Sequence, residues 1–369
     1  MKRSLSRRTA LGGGLAALVA PMFAGRAEAS GHPPLRIGVL ADLTGPLAQH
    51  GKQQLQGAQY RVDALNAAAG HGHEQLVELL VRDTASDEAK ARDAVSRLLE
   101  EGVHALIAGQ GRAVMEAAEA SCTPTITSSA ADGMPYVFQT GPSEQQVAKA
   151  LLQAAQKSKA GLLSLEGLST AALEQEAAAR GVALGAPQRF PATATELVTQ
   201  LKTLADQKPE VIVVNALPPF DGMAVRDARA AGWTGPIVCT PEAANPAFHG
   251  TAGPAAEGVL AVVPWLAAAK QAPETIPHWS AMRRFAEGFA ASNGPPGTRA
   301  GYGADAVSLL HLAFLGHRDR KAARGQLDQM CCIGVTGVYN VTPANHAGLA
   351  DDSLVAMTSQ GGVWTVPQP

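Results

Sequence analysis

The chain has 369 residues, of which 46% are hydrophobic and 17% are charged, and its formal net charge is −2 at pH 7. Proteins that bind nucleic acid or anionic membranes through charge carry a basic excess, which this chain lacks beyond its N-terminal segment, so we expect neither partner. Without that segment about 340 residues are left, which is long for one hydrophobic core and predicts two domains.

The first 29 residues have the three parts of a bacterial export signal. Basic residues open the chain, an apolar run follows at residues 10–24, and the triplet Ala27-Glu28-Ala29 predicts cleavage before Ser30. The Arg7-Arg8 pair lies in an S-R-R-x-x-L stretch that resembles a twin-arginine signal, with an ordinary secretory signal as the alternative. The apolar run is shorter than the roughly 20 residues that span a bilayer. We therefore expect a periplasmic protein rather than an anchored one.

Short apolar runs then alternate with amphipathic helical patterns. Ser86 is the predicted N-cap of the second helix. Uninterrupted apolar strands separated by helices indicate a parallel sheet that is covered on both faces. The predicted strands are 35–40, 77–81, 105–108, 125–127 and 136–139, and the predicted helices are 51–69, 87–101, a short one ending near 120, and one that starts at Ser143.

The same pattern restarts in the second part of the chain, which predicts a second α/β unit. The fold class is therefore α/β, with two Rossmann-like lobes whose parallel sheets are joined by several crossovers. We expect residues 30–143 and 268–345 in lobe 1, and residues 144–267 and 346–369 in lobe 2. The predicted strands are 162–165, 182–184, 211–214, 237–239 and 259–263, the helices are 171–180, 196–207, 222–231, 279–291 and 302–315, and the tail from 335 is β-rich.

No sequence motif points to an enzyme. The chain has no G-x-S-x-G, no H-E-x-x-H and no Walker loop, and Gly109-Gln110-Gly111 lacks the third glycine of a dinucleotide fingerprint. His71-Gly72-His73-Glu74 holds metal-ligand types but is typical of a polar turn. Cys122, Cys239, Cys331 and Cys332 fit no zinc pattern, and one disulfide of open connectivity is compatible with the periplasm. We expect no catalysis, no cofactor and no metal.

Motifs spread along the mature chain carry a resemblance to one family. They include Leu43-Thr44-Gly45-Pro46, Ile126-Thr127-Ser128-Ser129, Ala231-Gly232-Trp233, Pro241-Glu242 and Tyr302-Gly303-Ala304-Asp305-Ala306. In this order they resemble the periplasmic leucine/isoleucine/valine-binding proteins of branched-chain amino acid ABC transporters. The resemblance implies a type I periplasmic binding protein whose lobes close on an amino acid or small carboxylate, which it delivers to an inner-membrane ABC permease. We expect a monomer. A ligand-sensing or interaction protein of the same fold is the alternative.

The resemblance also implies the groups that hold a ligand carboxylate. Ligands of open parallel sheets bind beyond the carboxyl ends of the strands, where helix N-termini face the cleft. Ser128 and Ser129 match the loop that binds the carboxylate, although a helix N-cap or turn would use the same residues. Ala131 stands where the family commonly has Thr. Arg112 could grip a carboxylate with two hydrogen bonds, or could be an ordinary surface residue.

Five further residues complete the expected ligand site. Glu242 matches the acid that pairs with the ligand ammonium group, with a structural salt bridge as the alternative. His50 stands where the family often has Tyr, near the cleft rim, and could equally be a solvated loop histidine. Leu217 and Phe220 could pack on an apolar ligand or in the core. Tyr302 is either a ligand contact or a packing residue at a helix start.

Overall fold

A computed structural model describes residues 33–69, 76–109, 111–128 and 133–367. The predicted export signal, the turn at 71–74 and the predicted site residues Ser129 and Ala131 lie outside these ranges.

The first sheet consists of five parallel strands in the order β2-β1-β3-β4-β5. Its core strands are buried because they carry almost only apolar side chains and helices cover both faces. The elements are β1 (Leu35–Ala41), α1 (Ala48–Ala68), β2 (Val77–Asp83), α2 (Glu88–Glu100), β3 (Ala105–Ala108), α3 (Arg112–Ala120), β4 (Thr125–Thr127) and β5 (Val137–Gln139).

The second sheet has eight strands, ordered β15-β14-β11-β10-β9-β6-β7 with β8 beside β6. Its strands are parallel except at the edge formed late in the chain, where β14 pairs antiparallel with β11 and β15 with β14. Its elements are α4 (Glu144–Ala155), β6 (Lys159–Leu165), α5 (Ala171–Arg180), β7 (Ala183–Leu184), β8 (Gln188–Phe190), α6 (Val198–Asp206), β9 (Val211–Asn215), α7 (Phe220–Ala230), β10 (Ile237–Cys239), α8 (Phe248–Ala252), β11 (Leu260–Pro264), β14 (Leu354–Gln360) and β15 (Val363–Thr365).

Between β11 and β14 the chain returns to the first sheet. It forms α9 (Trp279–Asn293), α10 (Thr298–Ala313), α11 (Arg320–Leu327) and the hairpin of β12 (Cys331–Ile333) and β13 (Val338–Asn340). The chain thus passes between the two sheets after β5, after β11 and after β13. The α/β class with two largely parallel sheets is confirmed. We propose the lobe boundaries at 143/144, 267/268 and 345/346, because each falls in one of these passages.

Three details differ from the predicted elements. The N-cap of α2 is Asp87, which accepts a hydrogen bond from the Lys90 amide (2.9 Å), because the Ser86 hydroxyl accepts from the Leu47 amide instead. Helix α10 begins at Thr298, four residues before the predicted start. The elements β8, α8, α11 and β12 have no counterpart among the predicted elements, because they contribute few apolar side chains to the core.

Two glycines allow α1 and α10 to pack backbone against backbone. A Cβ atom on Gly57 would overlap the carbonyl oxygen of Ala300, and one on Gly303 would overlap that of Gln54. Only glycine permits so close an approach. This packing fixes the first turns of α10, which carry Arg299 and Tyr302, beside residues 54–57 of α1.

All four cysteine thiols are free in the structure. Cys239 is buried in β10, whereas Cys122 and Cys331 are exposed.

Candidate functional site

A cleft of about 750 Å³ lies between the two sheets. Parallel strands of both sheets end at its walls, and the residue or short loop after each strand faces it, as expected for ligand sites of open α/β sheets. The first polar or charged lining residues after β1, β2, β4, β6 and β10 are Asp42, Thr84, Ser128, Glu166 and Thr240.

The larger side chains that line the cleft are mostly apolar and come chiefly from helices and loops around both sheets. Such a lining favours a ligand with an apolar body and a small number of polar groups. The larger apolar side chains are Leu47, Val114, Met115, Met134, Val147, Leu151, Leu165, Leu168, Leu173 and Leu217.

Glu242 forms an ion pair across the cleft. It lies in the one-turn 3-10 helix Pro241–Ala243 after β10, and its Oε2 accepts a hydrogen bond from Nε of Arg299 in α10 (3.0 Å). The side chains are 14% and 3% exposed. Burial raises the pKa of Glu242, but the charge and hydrogen bond of Arg299 and the nearby His50 together outweigh burial and lower the pKa to about 2. Glu242 is therefore ionised and already has a cation beside it.

His50 lies behind this ion pair. Its Nε2 is 3.5 Å from the same oxygen of Glu242, which is longer than a good N–H···O hydrogen bond. Burial and then the charge of Arg299 lower the pKa of His50 below its usual value. The imidazole is therefore neutral at pH 7 and adds no charge to the pair.

Two hydrogen bonds from Thr298 hold Arg299 and Glu242 in fixed positions relative to each other. The amide of Thr298 donates to the Ala244 carbonyl (2.8 Å), and the Thr298 hydroxyl donates to the Pro241 carbonyl (3.1 Å). Thr298 precedes Arg299, and Pro241 precedes Glu242. The ion pair is thus part of a fixed joint between α10 and the turn after β10.

Three buried polar atoms of cleft-lining residues have no hydrogen-bond partner within the described part of the chain. They are Nη1 of Arg299, Oγ of Ser128 and Oη of Tyr302. Burial raises the pKa of Tyr302 well above its usual value, so its hydroxyl keeps its proton. Buried polar groups are normally hydrogen-bonded, and unpaired ones that line a cleft indicate a bound molecule that completes them.

The other acids of the cleft are engaged locally or lie near its mouth. Asp42 is buried, and its Oδ1 accepts hydrogen bonds from the Thr84 hydroxyl (2.5 Å) and from the Ser86 amide (2.9 Å). The exposed acids along the cleft are Asp87, Glu88, Glu144 and Glu166.

The remaining predicted site residues are placed differently from one another. Leu217 is buried and lines the cleft. The Arg112 side chain also lines it but is 78% exposed and pairs with Glu116 on the same helix (2.8 Å). Phe220 packs in the core of the second sheet, with its ring centroid 6.3 Å from that of Phe190. The ligand contacts expected of all these residues stay predictions.

Sequence reasoning missed Arg299. The signal was present, because Arg299 is the sole Lys or Arg residue among the 16 residues of α10, a helix whose other positions are almost all apolar or small. A lone cation in a helix that is buried on all sides needs a counter-charge. The sequence does not show that Glu242, 57 residues earlier, supplies it.

Several solved structures share this fold. Leucine-binding protein LivK from Thermotoga maritima is 21% identical with a TM-score of 0.78, and the match covers 90% of this chain and 98% of that one. LivJ from Streptococcus pneumoniae, solved with isoleucine, is 22% identical with a TM-score of 0.75 and coverages of 90% and 97%. A solute-binding protein of an ABC transporter from R. palustris, solved with benzoate, is 19% identical with a TM-score of 0.76 and coverages of 90% and 95%. At such identities the likeness shows the fold.

The family assignment comes from the sequence itself. No curated protein sequence matches the chain significantly. Among the described residues, no helix has the length and apolar character that crossing a membrane requires. The model of the family described as periplasmic binding protein matches residues 34–362. The chain therefore belongs to the periplasmic binding protein family of solute-binding proteins and has its type I fold.

Proposed function

We propose that this protein is the periplasmic solute-binding component of an ABC transporter, and that it binds a branched-chain amino acid or a similar small carboxylate in the cleft. The observation that carries the proposal is the set of unpaired donors at Arg299, Ser128 and Tyr302, which line the cleft together with many apolar side chains. A carboxylate bound there would accept hydrogen bonds from them, and hydrogen bonds between a guanidinium and a carboxylate are among the strongest in proteins.

The family context supports the remaining parts of the proposal. Its members bind solutes outside the cytoplasm, and the export signal predicted at residues 1–29 would bring this chain to the periplasm. The partner would be an inner-membrane ABC permease, to which the monomer delivers its ligand. Three passages between the sheets would let the two halves rotate about a hinge and close on the ligand.

A thermal-shift screen of the mature chain tests the binding function. The panel contains amino acids and small aliphatic and aromatic carboxylates. A ligand at a hundred times its Kd stabilises the folded state by about 2.7 kcal/mol, which is readily seen. Scattering with that ligand should show a smaller radius of gyration. If no member of the panel raises the melting temperature, the proposed binding function is wrong.

Uptake of the identified ligand tests the transport role. A strain that lacks this protein should lose high-affinity uptake and regain it when the gene is restored. Unchanged uptake, together with a lost response to the ligand, would instead favour the sensing role.

A further inference from the structure

We infer that the cleft selects apolar carboxylic acids that lack an α-ammonium group, because Arg299 occupies the position beside Glu242 that a ligand cation would need. The inference rests on the proposed function and narrows its ligand to one chemical class.

The charges beside Glu242 disfavour a ligand ammonium group. Glu242 contributes one negative charge and Arg299 one positive charge, at a distance of 3.0 Å between Nε and Oε2. The side chain of His50, which lies beside the same carboxylate, is completely buried, and its imidazole is neutral at pH 7. The carboxylate is therefore compensated by the protein itself. An ammonium group placed here would meet a pair with no net charge and would gain little attraction from it.

The fixed position of Arg299 also disfavours a ligand amine. An amine could still bind if Arg299 swung away, but the residue before it, Thr298, is hydrogen-bonded to both Pro241 and Ala244. The glycine contact between α1 and α10 fixes the same helix from its other side. Moving Arg299 would also separate its guanidinium, only 3% exposed, from the carboxylate that compensates its charge, which is strongly unfavourable.

The unpaired buried polar atoms of the cleft can all donate hydrogen bonds, which suits a carboxylate. Nη1 of Arg299 can only donate, and it has no acceptor among the described residues. The hydroxyls of Ser128 and Tyr302, which also lack partners there, can donate as well. A ligand carboxylate provides acceptors, whereas an ammonium group brings three more donors. Asp42 is the other buried carboxylate of the lining, and one of its oxygens already accepts two hydrogen bonds from the loop after β2.

Calorimetry with matched ligand pairs tests the inference on the full mature chain. The pairs are leucine with 4-methylpentanoate, and phenylalanine with 3-phenylpropanoate, so that each pair differs only in the amine. We expect the acid of the pair that fits the cleft to bind at least about tenfold tighter than its amino acid. Equal affinities, or tighter binding of the amino acid, would overturn the inference and leave the proposed function standing. If neither these four ligands nor the wider panel bind, both are wrong.

Two variants test whether the ion pair of Arg299 and Glu242 determines the selectivity. Arg299→Gln should weaken the acid by at least about tenfold, since it removes the donor and its charge. Because this change leaves Glu242 unpaired and could unfold the chain, Glu242→Gln provides a second test. It frees the charge of Arg299 and should strengthen binding of the acid severalfold. The matched control is Glu287→Gln, which removes a carboxylate that pairs with Arg283 on the surface of α9 (2.6 Å) and should change neither affinity.

Two results with single variants would contradict the inference. If Glu242→Gln weakens leucine about tenfold and spares 4-methylpentanoate, Glu242 meets the ammonium group and the inference is wrong. A similar selective loss in Asp42→Asn would place the ammonium at Asp42 and would also overturn it.

Discussion

The guanidinium of Arg299 donates from Nε to Oε2 of Glu242 over 3.0 Å and thereby joins the first turn of α10 to the turn after β10. Helix α10 packs with the first sheet, whereas β10 is a central strand of the second. One buried ion pair therefore connects the two halves of the cleft. Breaking such a pair by removing one partner typically costs about 3–5 kcal/mol, because the other charge is left buried and alone.

This ion pair should make stability depend on pH in the acid range. The pKa of Glu242 is about 2 in the folded protein, against an ordinary value of 4.5, because Arg299 and the nearby His50 together outweigh the rise that burial causes. A lowered pKa stabilises the folded state above the ordinary value, and this contribution is lost as the pH falls from 4.5 toward 2. Denaturant unfolding at about pH 6 and about pH 3 should show wild type more stable than Glu242→Gln at the higher pH, with a smaller difference at the lower one. A difference that does not change between these pH values would contradict the assignment.

Two buried tyrosines should respond oppositely to loss of the hydroxyl. The Tyr302 hydroxyl has no partner among the described residues, so Tyr302→Phe should leave the free energy of unfolding unchanged or raise it by up to about 1 kcal/mol. The same change should weaken ligand binding about five- to tenfold, since it removes a donor to the ligand.

Tyr339 is the matched control. Its hydroxyl lies within hydrogen-bond distance of the Thr140 carbonyl (2.9 Å) and the Asp305 carboxylate (3.0 Å), to which its single hydrogen can be donated, and Tyr339 does not line the cleft. Tyr339→Phe should therefore cost about 1–3 kcal/mol of stability and leave ligand affinity unchanged. If both variants lose stability and both keep their affinity, the Tyr302 hydroxyl has no role in binding.

The glycine contact between α1 and α10 gives a third prediction. Gly303→Ala puts a Cβ atom against the backbone carbonyl of Gln54, which cannot move without shifting α1. We expect a loss of about 1–3 kcal/mol in the free energy of unfolding, with weaker ligand binding because α10 carries Arg299 and Tyr302. Gly325→Ala in α11 meets no atom within 4 Å and should be neutral or stabilise by up to about 1 kcal/mol. Equal stability of the two variants would show that the helices tolerate a wider separation.

Most of the fold followed from the sequence because its central strands are short, continuous apolar runs. Strands such as β3 and β10 match their predicted bounds, since a residue buried on both faces of a sheet leaves little choice of side chain. Helix α11 was missed because only Ala323 and Leu327 of its eight residues are buried, so it has almost no apolar face to detect.

The candidate site could be predicted only where chain order determines it. Ser128 directly follows β4, and Glu242 closely follows β10. The carboxyl ends of parallel strands meet at one edge of a sheet. The partner of Glu242 is a tertiary contact between segments 57 residues apart, which no local pattern encodes. The sequence left a ligand ammonium group and a structural salt bridge open as partners of Glu242, and the structure contains a salt bridge.

Asp221 should make the protein less stable as the pH rises toward 8. It is buried at the start of α7, where its two oxygens accept hydrogen bonds from the Gly222 amide (2.7 Å) and from Nδ2 of Asn245 (2.8 Å). Burial, opposed by the Gly222 hydrogen bond, raises its pKa from 3.8 to about 8. Between these values the folded protein binds a proton that the unfolded chain has released. The free energy of unfolding should therefore fall by up to about 1.4 kcal/mol per pH unit. The stabilisation is complete below the unfolded pKa and is lost as the pH rises through the folded one.

Asp221→Asn, which is neutral at every pH, should remove this slope in denaturant titrations between about pH 5 and about pH 8. Parallel slopes in the two proteins would show that Asp221 ionises in the folded state, and that Asn245 and Gly222 are enough to hold its charge.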